Sequence, residues 1–163
     1  MKNDDMKQQL VQMGNGAHAL ATQILGNADD AADAVHDAFA KVLRRPEAYD
    51  ASNGPLKPWF FRIVRNRCID LIRRRRPADD TVDELIDATP GPEGLAEISQ
   101  RDEALQQALS ELPSGQREII VLRDYLDLSY VEIADIQEIA QGTVMSRLHR
   151  ARMALKKELT RDE

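Results

Sequence analysis

Apolar residues in this chain recur at intervals of three and four and nowhere alternate with polar ones over a useful length, which restricts the fold to packed amphipathic helices. Residues 6–25 and 29–45 each carry such a stripe. Asn27, Ala28, Asp29 and Asp30 mark a turn and a helix start between them, so an antiparallel helix pair is expected. The turn formers of 49–55 force a loop. A third helix then begins near Pro58 and runs from Trp59 to about Arg76, because Pro77 disfavours helical geometry at the residue before it. Over 95–112 the residues Ala104, Leu105, Ala108, Leu109 and Leu112 form one stripe, closed by Pro113-Ser114-Gly115, where Ser114 is placed to cap the next helix. Further helical segments cover 116–126, 129–137 and 141–159. The expected class is all-α: three helices, a linker rich in acid and proline between about 79 and 100, and four more helices.

Composition narrows the function. With 31% charged residues and no apolar run near the ~20 residues that a membrane-spanning helix needs, a spanning protein is excluded. The start MKNDDMKQQL lacks the features of a secretory signal, and the single cysteine, Cys68, cannot support a disulfide framework, so a reducing cytoplasm is expected. The net charge of -6 conceals a strong pattern: residues 59–76 sum to +6, 77–104 to -8, 105–140 to -5 and 141–163 to +3. Two basic stretches around an acidic middle point to a polyanion contacted at two separate places.

The segments 129–137 and 141–159, joined by a short turn, have the layout of a helix-turn-helix, whose second helix enters the major groove of DNA. At ~100° per residue, Val144, Leu148, Ala151 and Leu155 share a stripe that would pack on Ile133, Ile136 and Ile139. The opposite face carries Met145, Ser146, His149, Arg150 and Met153, with Arg147 and Arg152 on the flanks toward phosphates. Arg150 is the expected base reader. In the other basic stretch Phe60, Phe61, Val64, Cys68, Leu71 and Ile72 face a core, while Trp59, Arg62, Asn66, Asp70 and Arg73 share the polar face. A ring for stacking, an amide for a base edge and cations for phosphates suit a protein that holds single-stranded DNA.

The run Leu112-Pro113-Ser114-Gly115-Gln116-Arg117-Glu118, with Ser129-Tyr130-Val131-Glu132-Ile133-Ala134 and the stretch from Gly142 to Arg152, resembles region 4 of bacterial extracytoplasmic-function (group 4) sigma factors. The segment from Ile24 through Asp29, Asp30, Asp33, Val35, Asp37, Ala38 and Phe39 to Arg45, followed by 59–76, is similar to region 2 of the same family.

The resemblance implies a region 2 domain over 1–78 that binds the polymerase β′ clamp helices and the melted -10 strand, an acidic linker over 79–100, and a region 4 domain over 101–163 that binds the -35 duplex and the β flap. It implies -35 contacts from Thr143, Met145, Ser146, Arg147, His149 and Arg150, and -10 contacts from Trp59, Arg62, Asn66 and Arg73, with 49–57 capturing an unstacked base. Asp30, Asp33 and Asp37 would meet the polymerase. Core RNA polymerase, promoter DNA and an anti-sigma factor are the implied partners, and the acidic linker would follow a basic channel of the polymerase. Two residues depart from the family pattern: Glu138 stands where the turn usually has glycine, and Met145 where a basic residue often precedes the serine.

Other classes explain less. Asp33-Ala-Val-His36 offers one carboxylate-histidine pair where a di-iron bundle needs two Glu-x-x-His copies and two more glutamates. His18, His36 and His149 are scattered, and there is neither a usual zinc ligand set nor a phosphate-cradling glycine loop. No enzyme activity, cofactor or metal is expected. A stand-alone helix-turn-helix regulator leaves the helix 59–76 unexplained, and a degenerate sigma-like adaptor is the reading that Glu138 and Met145 keep open.

Overall fold

The structure, a computed structural model, describes residues 3–75 and 103–161. The expected linker lies outside the described residues, as do the start of the 95–112 stripe and both chain ends. Among the described residues every regular element is helical: α1 Asn3–Gln12, α2 Gly14–Leu25, α3 Ala28–Arg44, two single 3-10 turns, α4 Leu56–Arg75, α5 Glu103–Ser110, α6 Ser114–Ile120, a π turn Val121–Tyr125, α7 Tyr130–Gln137 and α8 Gln141–Thr160.

The punctuation is largely local chemistry. Gly26 ends α2 at φ 84°, a left-handed position that glycine takes without a Cβ clash, and its N–H donates to the Thr22 carbonyl. Asn27 Oδ1 then accepts the Asp30 N–H at 2.8 Å, capping α3. Asp29 and Asp30 sit in the first turn of α3, and Lys41 and Arg44 in its last, so the charges suit the helix dipole. Between α3 and α4, Asp50 accepts from the N–H and hydroxyl of Ser52, and the Tyr49 hydroxyl donates to the Gly54 carbonyl at 2.7 Å. That hydrogen bond staples the loop in front of α4.

Three expectations need correction. The stripe over 6–25 is two helices, not one, because the chain turns at Met13 before α2. Ser114 does not cap: it is the first residue of α6, its hydroxyl buried without a partner, and Pro113 holds the cap position. The segment 116–126 changes to π geometry at Val121, with the Leu126 N–H reaching the Val121 carbonyl at 2.8 Å.

α2, α3 and α4 pack around Leu20, Ile24, Ala34, Val35, Phe60, Phe61 and Val64, and α5 to α8 around Leu109, Ile119, Leu122, Ile133, Ile136, Val144 and Leu148. These two groups belong to one continuous apolar cluster. α4 lies against α7, and α2 against α6 and the π turn. At Gly16 the approach is so close that a Cβ would stand 2.7 Å from Leu126 Cδ2. Polar groups are buried at the same junction. Arg65 pairs with Glu118, which also accepts from Gln137 Nε2 at 3.2 Å, and the Arg117 guanidinium donates to the Leu112 carbonyl and to the Gln23 carbonyl at 3.1 Å. Burial pushes the Arg117 pKa down to about 10.

Candidate nucleic-acid interface

The turn between α7 and α8 is built from its first residue onward. Ser129 Oγ accepts the Glu132 N–H at 3.1 Å while Glu132 Oε1 accepts the Ser129 N–H at 2.9 Å, a reciprocal box that fixes where α7 starts. Glu138 ends α7 at φ 57°, ψ 46°, in the left-handed region, and α8 begins two residues after Ile139. Val144, Leu148 and Ala151 are buried, as are Ile133 and Ile136 of α7, while Leu155 and Ile139 are partly buried. The outward face is set by that packing: Met145, Ser146, His149, Arg150 and Met153 are exposed, and Thr143 and Arg147 half-buried. Ser146 turns its hydroxyl back to the Gly142 carbonyl at 2.9 Å. Arg152, expected to be a free flanking cation, instead donates through Nε and Nη2 to Asp124 at 3.2 and 2.5 Å, and that bond raises its pKa.

On α4 the core-facing residues are Phe60, Phe61, Val64, Cys68 and Ile72, with Leu71 only partly buried. Trp59 is half-buried, its ring centroid 5.0 Å from that of Tyr49 at 48°. Asn66, Asp70 and Arg73 are exposed. Arg62 lies on the same polar face, yet its guanidinium is held by α7, with Nη2 2.7 Å from Glu138 and Nη1 3.3 Å from Asp135. A groove of about 660 Å³ runs between the two halves, with Lys41, Asn66, Asp70 and Arg73 on one wall and Glu138 and Arg147 on the other. The structure thus brings Asn66 and Arg73 opposite Arg147. Ser146, His149 and Arg150 do not line the groove.

The three aspartates of α3 divide. Asp30 accepts from Asn27 at 2.6 Å and pairs with Arg75 at 2.9 Å, and these contacts, the Asn27 bond first, hold its carboxyl below the usual aspartate range. Asp37 pairs with Arg67 at 2.9 Å, whereas Asp33 is exposed.

Sequence reasoning missed Arg65, Arg117 and Glu118, all buried at the junction. A signal was present for Arg65. Phe61, Arg65, Cys68 and Ile72 follow one another at the helical spacing of the buried stripe, and a cation on such a stripe requires a buried partner.

Two family models match, sigma-70 region 2 over residues 10–78 and sigma-70 region 4 over 102–155. The RNA polymerase sigma factor SigW of Bacillus subtilis, itself of the extracytoplasmic-function (ECF) class, is 33% identical over 159 residues, covering 87% of this chain and 82% of that one. The chain belongs to the ECF RNA polymerase sigma factors. It is a promoter-recognising initiation factor with the two-domain layout of regions 2 and 4. Two solved structures resemble it along nearly its full length. One is the sigma factor RpoE in complex with the anti-sigma factor NepR from Bartonella quintana, at TM-score 0.75 and 28% identity, covering 98% of this chain and 99% of that one. The other is CnrH in complex with the cytosolic domain of CnrY, at TM-score 0.66 and 25% identity, covering 99% and 92%. Among the described residues no helix is long and apolar enough to cross a membrane.

Proposed function

We propose that this sigma factor acts in the cytoplasm by binding alone, without catalysis or cofactor, and that its two exposed helical faces divide the promoter between them. Residues 101–163 read the -35 duplex through α8. Ser146, His149 and Arg150 meet base edges with Met145 beside them on the same face, while Thr143 and Arg147 lie along the helix toward the backbone. Residues 1–78 hold the melted -10 strand through Trp59, Arg62, Asn66 and Arg73, with the stapled loop before α4 receiving an unstacked base. Asp33, together with Asp30 and Asp37 once these exchange their internal arginines, engages the β′ clamp helices of core RNA polymerase. Residues 79–100 connect the two units. An anti-sigma factor is a natural partner, since the similar sigma factor from Bartonella quintana is complexed with one.

The observation that carries this reading is the outward face of α8: a row of donors and apolar groups, Met145, Ser146, His149 and Arg150, opposite the buried Val144, Leu148 and Ala151 and directly after a helix-turn-helix turn. Transcription in vitro from a promoter library, with core RNA polymerase in the presence and absence of the chain, tests it. Chain-dependent initiation from promoters sharing a -35 and a -10 element is the expected result. Initiation that ignores one element would remove the corresponding helix from the reading.

A further inference from the structure

We infer that Glu138 and Asp135 form an electrostatic latch on Arg62 that holds the free chain shut, with release of Arg62 making the α4 face available to a DNA strand. The inference rests on the reading of α4 given above and adds its regulation. Arg62 offers a planar fork of donors, and both arms are taken, by Glu138 at 2.7 Å and by Asp135 at 3.3 Å. A guanidinium so engaged has turned two of its donors and its charge toward acids of its own chain, so a phosphate must compete with them for it. The closed form also sets Glu138 into the groove beside Asn66 and Arg73, where it repels the polyanion those residues would hold.

The choice of residue at 138 points the same way. A helix end at φ 57° is the position at which glycine serves best, and a side chain there strains the backbone. Turn geometry therefore gives no reason for glutamate. Contact with Arg62 does.

The face behind the latch is built to come apart. Gln23 of α2 is fully buried with neither its side-chain oxygen nor its nitrogen partnered, and the Ser114 hydroxyl of α6, the helix packed on α2, is buried without a partner too. A permanent core rarely leaves such groups without a protein partner, whereas a face that opens to solvent lets them gain hydrogen bonds. The Arg65–Glu118 pair is ionic as well. Arg62 and its partners are partly exposed, so salt, core polymerase or DNA can compete for them directly.

The test measures closure and activity separately. A donor and an acceptor dye are placed on the full chain at the exposed positions Ala32→Cys and Lys156→Cys, while the native Cys68 stays unlabelled because burial pushes its thiol pKa up to about 12. Energy transfer is expected to fall with added salt, and to fall at low salt in Glu138→Gly and further in the double variant Asp135→Asn/Glu138→Gln. For one exposed pair the closed-to-open ratio should drop about two- to fivefold. The swap Arg62→Glu/Glu138→Arg should restore transfer, which a merely local turn effect would not do. Unchanged transfer across these variants at unchanged helical content overturns the latch. Limiting-sigma transcription with Glu138→Gly gives the second reading: a rise completes the case. Opening without any core-dependent initiation, in parent or variant, leaves the latch standing and removes the promoter role assigned to α4.

Discussion

The two basic helices, α4 with six arginines and α8 with three, spend them differently. On α4, Arg62, Arg65, Arg67 and Arg75 are each in an ion pair within the chain, which leaves Arg73 and Arg74 unpaired among the described residues. On α8 only Arg152 is tied down in the half that faces outward, while Arg147 and Arg150 have no partner among the described residues. Formal charge therefore overstates what α4 can offer a strand in the closed form. It describes α8 well. A basic helix whose cations face acids of its own chain is first an internal interface, and becomes a nucleic-acid surface only when those acids are displaced.

Removing Glu118 should break this contrast most severely. Glu118→Ala strands the Arg65 guanidinium, whose side chain is 11% exposed against 2% for Glu118, and the expected loss of stability in urea unfolding is about 3–5 kcal/mol. Replacing both partners, as Arg65→Met with Glu118→Leu, should recover most of it, and a Glu118→Ala protein as stable as the parent would mean that α4 is not held by its arginines.

Arg150→Ala should do the opposite on α8. Thermal stability is expected to stay within about 0.5 kcal/mol, as for a surface change, while discrimination at one -35 position falls by roughly 1–3 kcal/mol in promoter selection. An unaltered preference would exclude Arg150 as a base reader.

Ser129→Ala should then cost about 1 kcal/mol in chemical denaturation, through the cap that starts α7. Loss of -35 recognition without that destabilisation would give Ser129 a different role. The smallest effect belongs to Asp30. Its folded pKa lies below the unfolded value of 3.8, so it adds stability above that value, and the increment is lost as pH falls through the folded one. The carboxylate is a third exposed, so Asp30→Asn should cost only a few tenths of a kcal/mol at neutral pH. In a pH series of unfolding curves the difference between variant and parent should begin to shrink as pH falls through about 4 and vanish only beneath the folded pKa.

The sequence made α3, α4, α7 and α8 legible because each has a clear apolar stripe, with end signals at Asn27 before α3 and Pro77 after α4. The break at Met13 was not legible, since the apolar spacing runs straight through it and the turn is set by how α1 and α2 fit the rest of the bundle. The helical wheel went astray on α4 for a different reason. A wheel assigns one buried face against one partner, and α4 has two, the α2–α3 pair and α7. Arg62 therefore reads as solvent-facing and is held, and Arg65 is left off the stripe on which it lies. On α8, with its back covered and its front open, the wheel and the structure agree.

The tilted aromatic pair at the mouth of α4 also equips the molecule with its own optical probe. Trp59 is the single tryptophan in the chain, so selective excitation at long wavelength reports one site, the indole against Tyr49 in the loop stapled by the Gly54 carbonyl. A base that stacks there must alter the neighbourhood of that indole. Emission intensity and wavelength, followed on mixing the chain with a single-stranded oligonucleotide, will therefore show without any added label whether a base reaches that site.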